Sequence, residues 1–226
     1  MVDVRRWVRS FLVDPTDRFG LLLGLLVTTF LVTGLSSSGE IRLSAGILNL
    51  LSLIVGVRST RMREKHQVLS ALVIMGVTGS ILLWLLPFDG IGAALGATMQ
   101  VVVLGALTLA VLARVISHSQ VTVQTILGAI AAYFLLGQIF AWIYLALSGY
   151  VDDALFSPPA TGELPTYYSY VVLTTLGFGD IVPTNTISER VTVVEALTGQ
   201  LFLATLVARL VSLYARPQSS DVPVES

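Results

Sequence analysis

The stretch Thr174-Thr175-Leu176-Gly177-Phe178-Gly179-Asp180 places two glycines around one aromatic residue and follows them at once with a carboxylate. Glycine reaches positive φ without a Cβ penalty, so Gly177 and Gly179 let successive carbonyls turn to one side of a strand. The carbonyls of Thr175, Leu176, Gly177 and Phe178 can then replace the hydration shell of a dehydrated cation, and the Thr175 hydroxyl can add a further ring of oxygens. One chain supplies only part of each ring, so this chemistry requires a closed oligomer. Asp180 marks the outer mouth of such a path.

The rest of the chain must tolerate irregular backbone of this kind. Of its 226 residues 54% are hydrophobic and 12% charged, with a mean hydropathy of +0.84, which is the composition of an integral membrane protein. At membrane depth, non-helical backbone survives only when buried in protein or lining a water-filled path. A helix needs about 20 mostly apolar residues to span a bilayer core. Six runs approach or exceed that length, at about 19–35, 41–57, 68–86, 91–116, 121–147 and 187–214. The glycine stretch lies between the fifth and sixth. Before it comes "LPTYYSYVVLT", apolar and aromatic but too short to span, with Pro165 suited to a first helical turn. The negative C-terminal dipole of this short helix favours a cation over an anion. Ahead of that lies "SGYVDDALFSPPATGE", rich in turn formers, whose Asp152, Asp153 and Glu163 belong in outer water.

Basic residues accumulate on the cytoplasmic side of membrane proteins. With the N-terminus inside, eleven of the thirteen Lys and Arg residues fall inside, and only Arg42 and Arg190 fall outside. Both termini are then cytoplasmic. Trp84 and Trp142 fall near the outer ends of the third and fifth spans, and Trp7 near the inner face. Residues 1–18 place Val4, Trp7, Val8 and Phe11 opposite Arg5, Arg6 and Arg9, as in a helix lying on an anionic membrane surface; a soluble basic tail is the alternative. No small-residue cleavage site follows, so the start does not read as a removable signal. The absence of cysteine excludes a disulfide framework, thiolate metal sites and cysteine nucleophiles. His66 and His118 land in inner loops with no carboxylate and histidine cluster around them.

In its setting, "TTLGFGD" resembles the selectivity-filter signature of tetrameric potassium channels, T-x-G-[YF]-G-D. The resemblance extends over roughly residues 121–214. It implies an all-α membrane protein with six transmembrane helices, a re-entrant pore helix and filter loop between the fifth and sixth, and a homotetramer. It implies potassium bound at Thr175, Leu176, Gly177 and Phe178, with Gly179 completing the filter. Tyr167 and Tyr168 stand where paired aromatics brace the filter in the family, with Thr174 beside them. Gly199, twenty positions after Gly179, matches a glycine that family members use as a gating hinge. From it the stripe Gln200, Leu203, Val207 and Val211 aligns with the family's cavity-lining face. Three departures stand out. Leu176 replaces the commoner valine or isoleucine, Phe178 lacks a phenolic hydroxyl, and Val171 sits where some members carry an acid, so no acid–aspartate clamp is expected there. These bear on filter rigidity and inactivation more than on ion choice.

Glu195 is an ionisable residue at membrane depth, which is costly unless it faces protein or water. One turn above Gly199, it either braces the filter from behind, or senses outer pH, or snorkels to the outer interface. The fourth run holds one basic residue, Arg114, at its inner end, whereas an arginine voltage sensor needs several within that helix.

The resulting organisation is an interfacial segment at 1–18, a four-helix membrane domain at 19–120, a pore domain at 121–216 and a cytoplasmic tail at 217–226. The expected function is passive, potassium-selective conduction, not enzymatic turnover, in the plasma membrane. Its partners are potassium ions, lipids and further copies of the chain, with no cofactor and no nucleic acid. A weakly selective monovalent cation channel is the nearest alternative. An intramembrane serine protease built on Ser36, Ser37 and Ser38 fails, because those serines lie outside and both histidines inside. A non-conducting scaffold would require a vestigial filter.

Overall fold

The structure, a computed structural model, describes residues 19–35, 51–56, 76, 91–117, 122–151, 153–158 and 164–214. In chain order these form α1 (Phe19–Leu35), α2 (Ile91–Ser117), α3 (Val123–Tyr150), β1 (Phe156–Ser157), α4 (Leu164–Leu173), β2 (Val182–Pro183) and α5 (Thr186–Tyr214). Residues 51–56 are helical as well. Among the described residues, α2, α3 and α5 are long and apolar enough to cross a membrane, and α1 is a shorter apolar helix. The chain is thus a mostly helical membrane protein. Of the run at 41–57 only residues 51–56 are described, and of the run at 68–86 only residue 76. The segment 1–18, Trp7, Trp84, both histidines, Asp152, Glu163 and the tail 217–226 lie outside the described residues.

Local sequence sets the helix boundaries. At the start of α3, Thr122 accepts from the Thr125 amide while its own amide donates back to the Thr125 hydroxyl, a reciprocal cap. At the start of α5 the Asn185 side chain accepts from the Ser188 amide at 2.9 Å, and Glu189 in the first turn complements the positive helix end.

Two apolar clusters hold the described elements. The larger joins α1, α2 and α3 through Phe19, Leu22, Val111, Val115, Leu127 and Leu135, with Phe202 and Leu206 of α5 packed on its edge. Gly128 is where three helices meet: a Cβ there would stand 2.7 Å from Val115 Cγ2 and 3.1 Å from the Phe19 ring. The smaller cluster gathers Phe140 and Tyr144 of α3, Leu155 and Phe156, Tyr168 of α4 and Ile181. Its rings meet edge-on, Tyr144 with Phe156 at 5.2 Å and with Tyr168 at 5.3 Å.

The turn-rich stretch before α4 is therefore only partly solvent-facing, because Leu155 and Phe156 are buried in this cluster. Phe156 and Ser157 pair antiparallel with Pro183 and Val182, and the Thr184 amide donates to Leu155 O at 3.0 Å. The loop before α4 is thereby pinned to the chain that follows the glycine stretch.

Candidate functional site

A helix leaves its last four carbonyls without intrahelical partners. All four at the end of α4 are satisfied. Tyr170 O accepts the Thr174 amide at 3.0 Å, Val172 O the Thr175 amide at 2.9 Å, and Val171 O the amides of Leu176 at 2.9 Å and Gly177 at 3.3 Å. Leu173 O accepts the Tyr133 hydroxyl of α3 at 2.9 Å. The amides of Thr175, Leu176 and Gly177 are thus turned back toward α4. Across a trans peptide the carbonyl of the preceding residue points the opposite way. The carbonyls of Thr174, Thr175 and Leu176 are therefore directed away from the helix.

The backbone beyond repeats in handedness. Thr175, Gly177 and Gly179 have φ of 59°, 56° and 74°. Every second residue is left-handed, and one of the three is a β-branched threonine, for which positive φ is a genuine outlier. Strain of this kind, of order 1–3 kcal/mol, persists where the surroundings over-determine it and clusters at functional sites. A Cβ added at Gly177 or Gly179 would meet nothing within 4 Å, so glycine is required there by conformation and not by crowding.

The strand is braced from two directions. In front, the Tyr167 hydroxyl donates to Asp180 Oδ2 at 2.7 Å, and the Ile181 amide donates to Asp180 Oδ1 at 3.1 Å. The bond to the carboxylate raises the Tyr167 phenol above its ordinary value. With valine at 171, Tyr167 is the side chain that ties Asp180 to α4. At the strand's start the Thr174 hydroxyl donates back to Tyr170 O at 2.6 Å.

Behind α4 the contacts are polar and buried. Glu195 of α5 is 0% exposed, which places it against protein and not in the outer interface. Its Oε2 accepts the Tyr144 hydroxyl of α3 at 2.6 Å and its Oε1 the Ser169 hydroxyl of α4. Ser169 also lies 2.8 Å from Gly137 O, and the Tyr170 hydroxyl donates to Phe134 O at 2.8 Å. One carboxylate thus joins α3, α4 and α5. Tyr168 belongs to this rear side: buried among Tyr144 and Phe156, it shares a 2.8 Å hydrogen bond with the Thr192 hydroxyl. Since the Thr192 proton goes to Ser188 O, Tyr168 is the donor.

Glycines bring the helices to this distance. A Cβ at Gly137 would lie 2.5 Å from the Tyr170 ring. At Gly199 it would lie 2.4 Å from Leu173 O, a backbone atom that side-chain motion cannot move aside. Gly199 is thus a close-packing position against the end of α4, whatever bending it also permits.

The remaining predicted residues lie apart from this buttress. Leu176 and Phe178 are 57% and 64% exposed, and Gln200, Leu203, Val207 and Val211 all lie on surface that their own chain does not cover. Sequence reasoning missed Tyr133, Tyr144, Ser169 and Thr192. The available signal was Glu195 itself, since a buried carboxylate demands donors and the neighbouring runs carry several hydroxyls.

Three membrane-crossing helices, a short helix ending in a braced and irregular strand, and a polar buttress behind it define a helical membrane protein built around an exposed carbonyl row. Residues 129–216, from within α3 through α4 and the strand to just past α5, match a protein-family profile described as "Ion channel". The match points to an ion channel over this part of the chain. No curated protein and no solved structure matches the chain.

Proposed function

We propose that the chain forms a homotetrameric, potassium-selective channel of the plasma membrane, with six spans per chain and both termini cytoplasmic, through which ions pass down their electrochemical gradient. Thr175, Leu176, Gly177 and Phe178 hold dehydrated potassium on the tetramer axis, with Gly179 ending the filter and Asp180 at its mouth. α4 is the pore helix and α5 the inner helix, lining a cavity with Gln200, Leu203, Val207 and Val211. Tyr167, Tyr168, Thr174 and Glu195 support the filter. The observation that carries this reading is the alternation of left-handed residues at 175, 177 and 179, on a stretch whose Thr175, Leu176 and Gly177 amides bond back to α4. It supports a row of carbonyls presented to an ion from one side.

The test is potassium flux into liposomes containing the purified protein, with sodium as competitor and Gly177→Ala alongside. At φ of 56° a Cβ is strained, so the variant is expected to lose flux while the wild type passes potassium in preference to sodium. Equal sodium flux in the wild type would favour the second reading, a weakly selective monovalent cation channel, for which Phe178 and its missing hydroxyl give the specific ground. Reversal potentials in mixed sodium and potassium separate the two. Flux that survives Gly177→Ala unchanged would remove the filter from this strand.

A further inference from the structure

The side by which α5 meets its own chain is a single seam. Glu195, Gly199, Phe202, Leu206 and Arg209 follow one another at spacings of four and three, which keeps them on one face of a helix. The first four touch α3, α4 or the main core: Glu195 through Tyr144 and Ser169, Gly199 against Leu173 O, Phe202 on Tyr133 with rings 5.5 Å apart, and Leu206 on the core's edge. Arg209 continues the seam beyond the core and reaches a different helix. Its Nη2 donates to Val115 O at 3.0 Å and to Ile116 O at 2.8 Å, ninety-four and ninety-three residues back in the chain.

Those two carbonyls belong to the last turn of α2, which ends at Ser117. Helix ends leave such carbonyls orphaned and carry partial negative charge, so a guanidinium is a suitable cap in hydrogen bonding and in electrostatics. A third carbonyl of the same turn, Arg114 O, accepts the Ser117 hydroxyl at 2.7 Å. The anchor is firm, because Val115 is 3% exposed and sits against Gly128 of α3 and the core. α5, by contrast, has few fixed points below Gly199.

We propose that Arg209 is a positioning residue that ties the inner end of α5 to the end of α2, drawing α5 toward its own chain and away from the pore axis. The inference rests on the channel reading for its consequence at the gate. Because the seam lies on a different face of α5 from Val207 and Val211, the tie holds the inner helices apart and favours the open pore. Losing it lets the inner ends converge. The filter, more than two helical turns away, keeps its geometry, so selectivity and unitary current are not its responsibility.

Two measurements test this on the full chain. In single-channel recordings from planar bilayers, Arg209→Ala is expected to lower the open fraction about tenfold, equivalent to about 1.4 kcal/mol, at unchanged unitary current and unchanged potassium over sodium selectivity. Arg209→Lys keeps the charge but presents a point donor in place of a fork, and should fall between. It also serves if the alanine variant fails to assemble. Since the chain has no cysteine, spin labels can be placed cleanly at Leu109→Cys on α2 and Ser212→Cys on α5. With labelled chains diluted into unlabelled ones, electron–electron resonance reads only the distance within one chain. Arg209→Ala should lengthen and broaden it. An unchanged distance overturns the tie whatever the currents do, and a lengthened distance at unchanged open fraction overturns its control of the gate. If the wild type passes no ions, the channel reading fails and the distance alone judges the tie.

Discussion

The two sides of α5 differ sharply in what their own chain covers. Along its seam the helix is fixed by a buried carboxylate, a glycine against a carbonyl, two apolar residues and an arginine. Around the rest of its circumference, Val193, Leu197, Leu201 and Leu203 are exposed. Only 11% of the most apolar stretch of α5 is buried by its own chain, against 50% for α3, a helix of nearly equal length. Such a contrast separates two tasks. The seam joins α5 to its own chain, and on the proposed reading the bare arc is what further copies and the conduction path would share.

That division can be broken most severely from the bare side. Leu197→Ala combined with Leu201→Ala should disrupt assembly in detergent, read as a loss of the large species by size-exclusion chromatography, while helix content by circular dichroism stays unchanged. A fall in helix content would mean the arc also supports the chain's own fold. On the seam, Glu195→Leu removes the main acceptor of the buried Tyr144 hydroxyl and leaves Ser169 only Gly137 O, and should cost roughly 1–3 kcal/mol, seen as a lower thermal unfolding temperature. Glu195→Gln, which keeps an acceptor, should recover most of that.

Gly199→Ala should cost about 1–3 kcal/mol and depress flux, since the new methyl meets backbone. Gly105→Ala on α2, where a Cβ meets nothing within 4 Å, should be neutral or raise stability by up to about 1 kcal/mol. Equal effects of the two would show that the Gly199 contact is unimportant and that only helix propensity is being read. A small loss is expected of Tyr133→Phe, which removes one hydrogen bond from Leu173 O and should cost about 1 kcal/mol with helix content and assembly retained. A change in selectivity measured by reversal potential in this variant would place that bond in control of the filter's base.

Much of the scaffold was legible in the sequence because it follows from length and hydropathy. The runs at 91–116, 121–147 and 187–214 needed only the rule that about 20 apolar residues make a span. The short helix was legible from Pro165 and from being too brief to cross. The glycine stretch was legible for a different reason, since alternation of φ sign leaves glycine as the default residue. Even so, Thr175 shows the limit: its left-handed φ comes from amides bonded back to α4, not from its own preference.

The rear buttress was illegible because hydroxyls on apolar runs carry almost no periodic signal. Ser169, Tyr144 and Thr192 sit twenty-three to forty-eight residues apart and meet only once three helices have packed. Gly199 illustrates a different gap, since a glycine's position in sequence does not distinguish freedom to bend from contact at close range. Phe30 of α1, whose ring meets Tyr170 edge-on at 5.0 Å, was likewise hidden in an unbroken apolar run. That contact gives the first helix a direct hold on α4.

The Leu173 carbonyl has a larger role than its size suggests. Tyr133 grips it from one side and Gly199 rests on it from the other, while the next peptide begins the row of outward oxygens. The location of the first outward oxygen and the crossing point of α5 are thus measured from one shared datum. Small errors elsewhere in the bundle can be absorbed by side chains, but a backbone carbonyl held on both counts leaves little slack, and the start of the glycine stretch inherits its tolerance from a single atom.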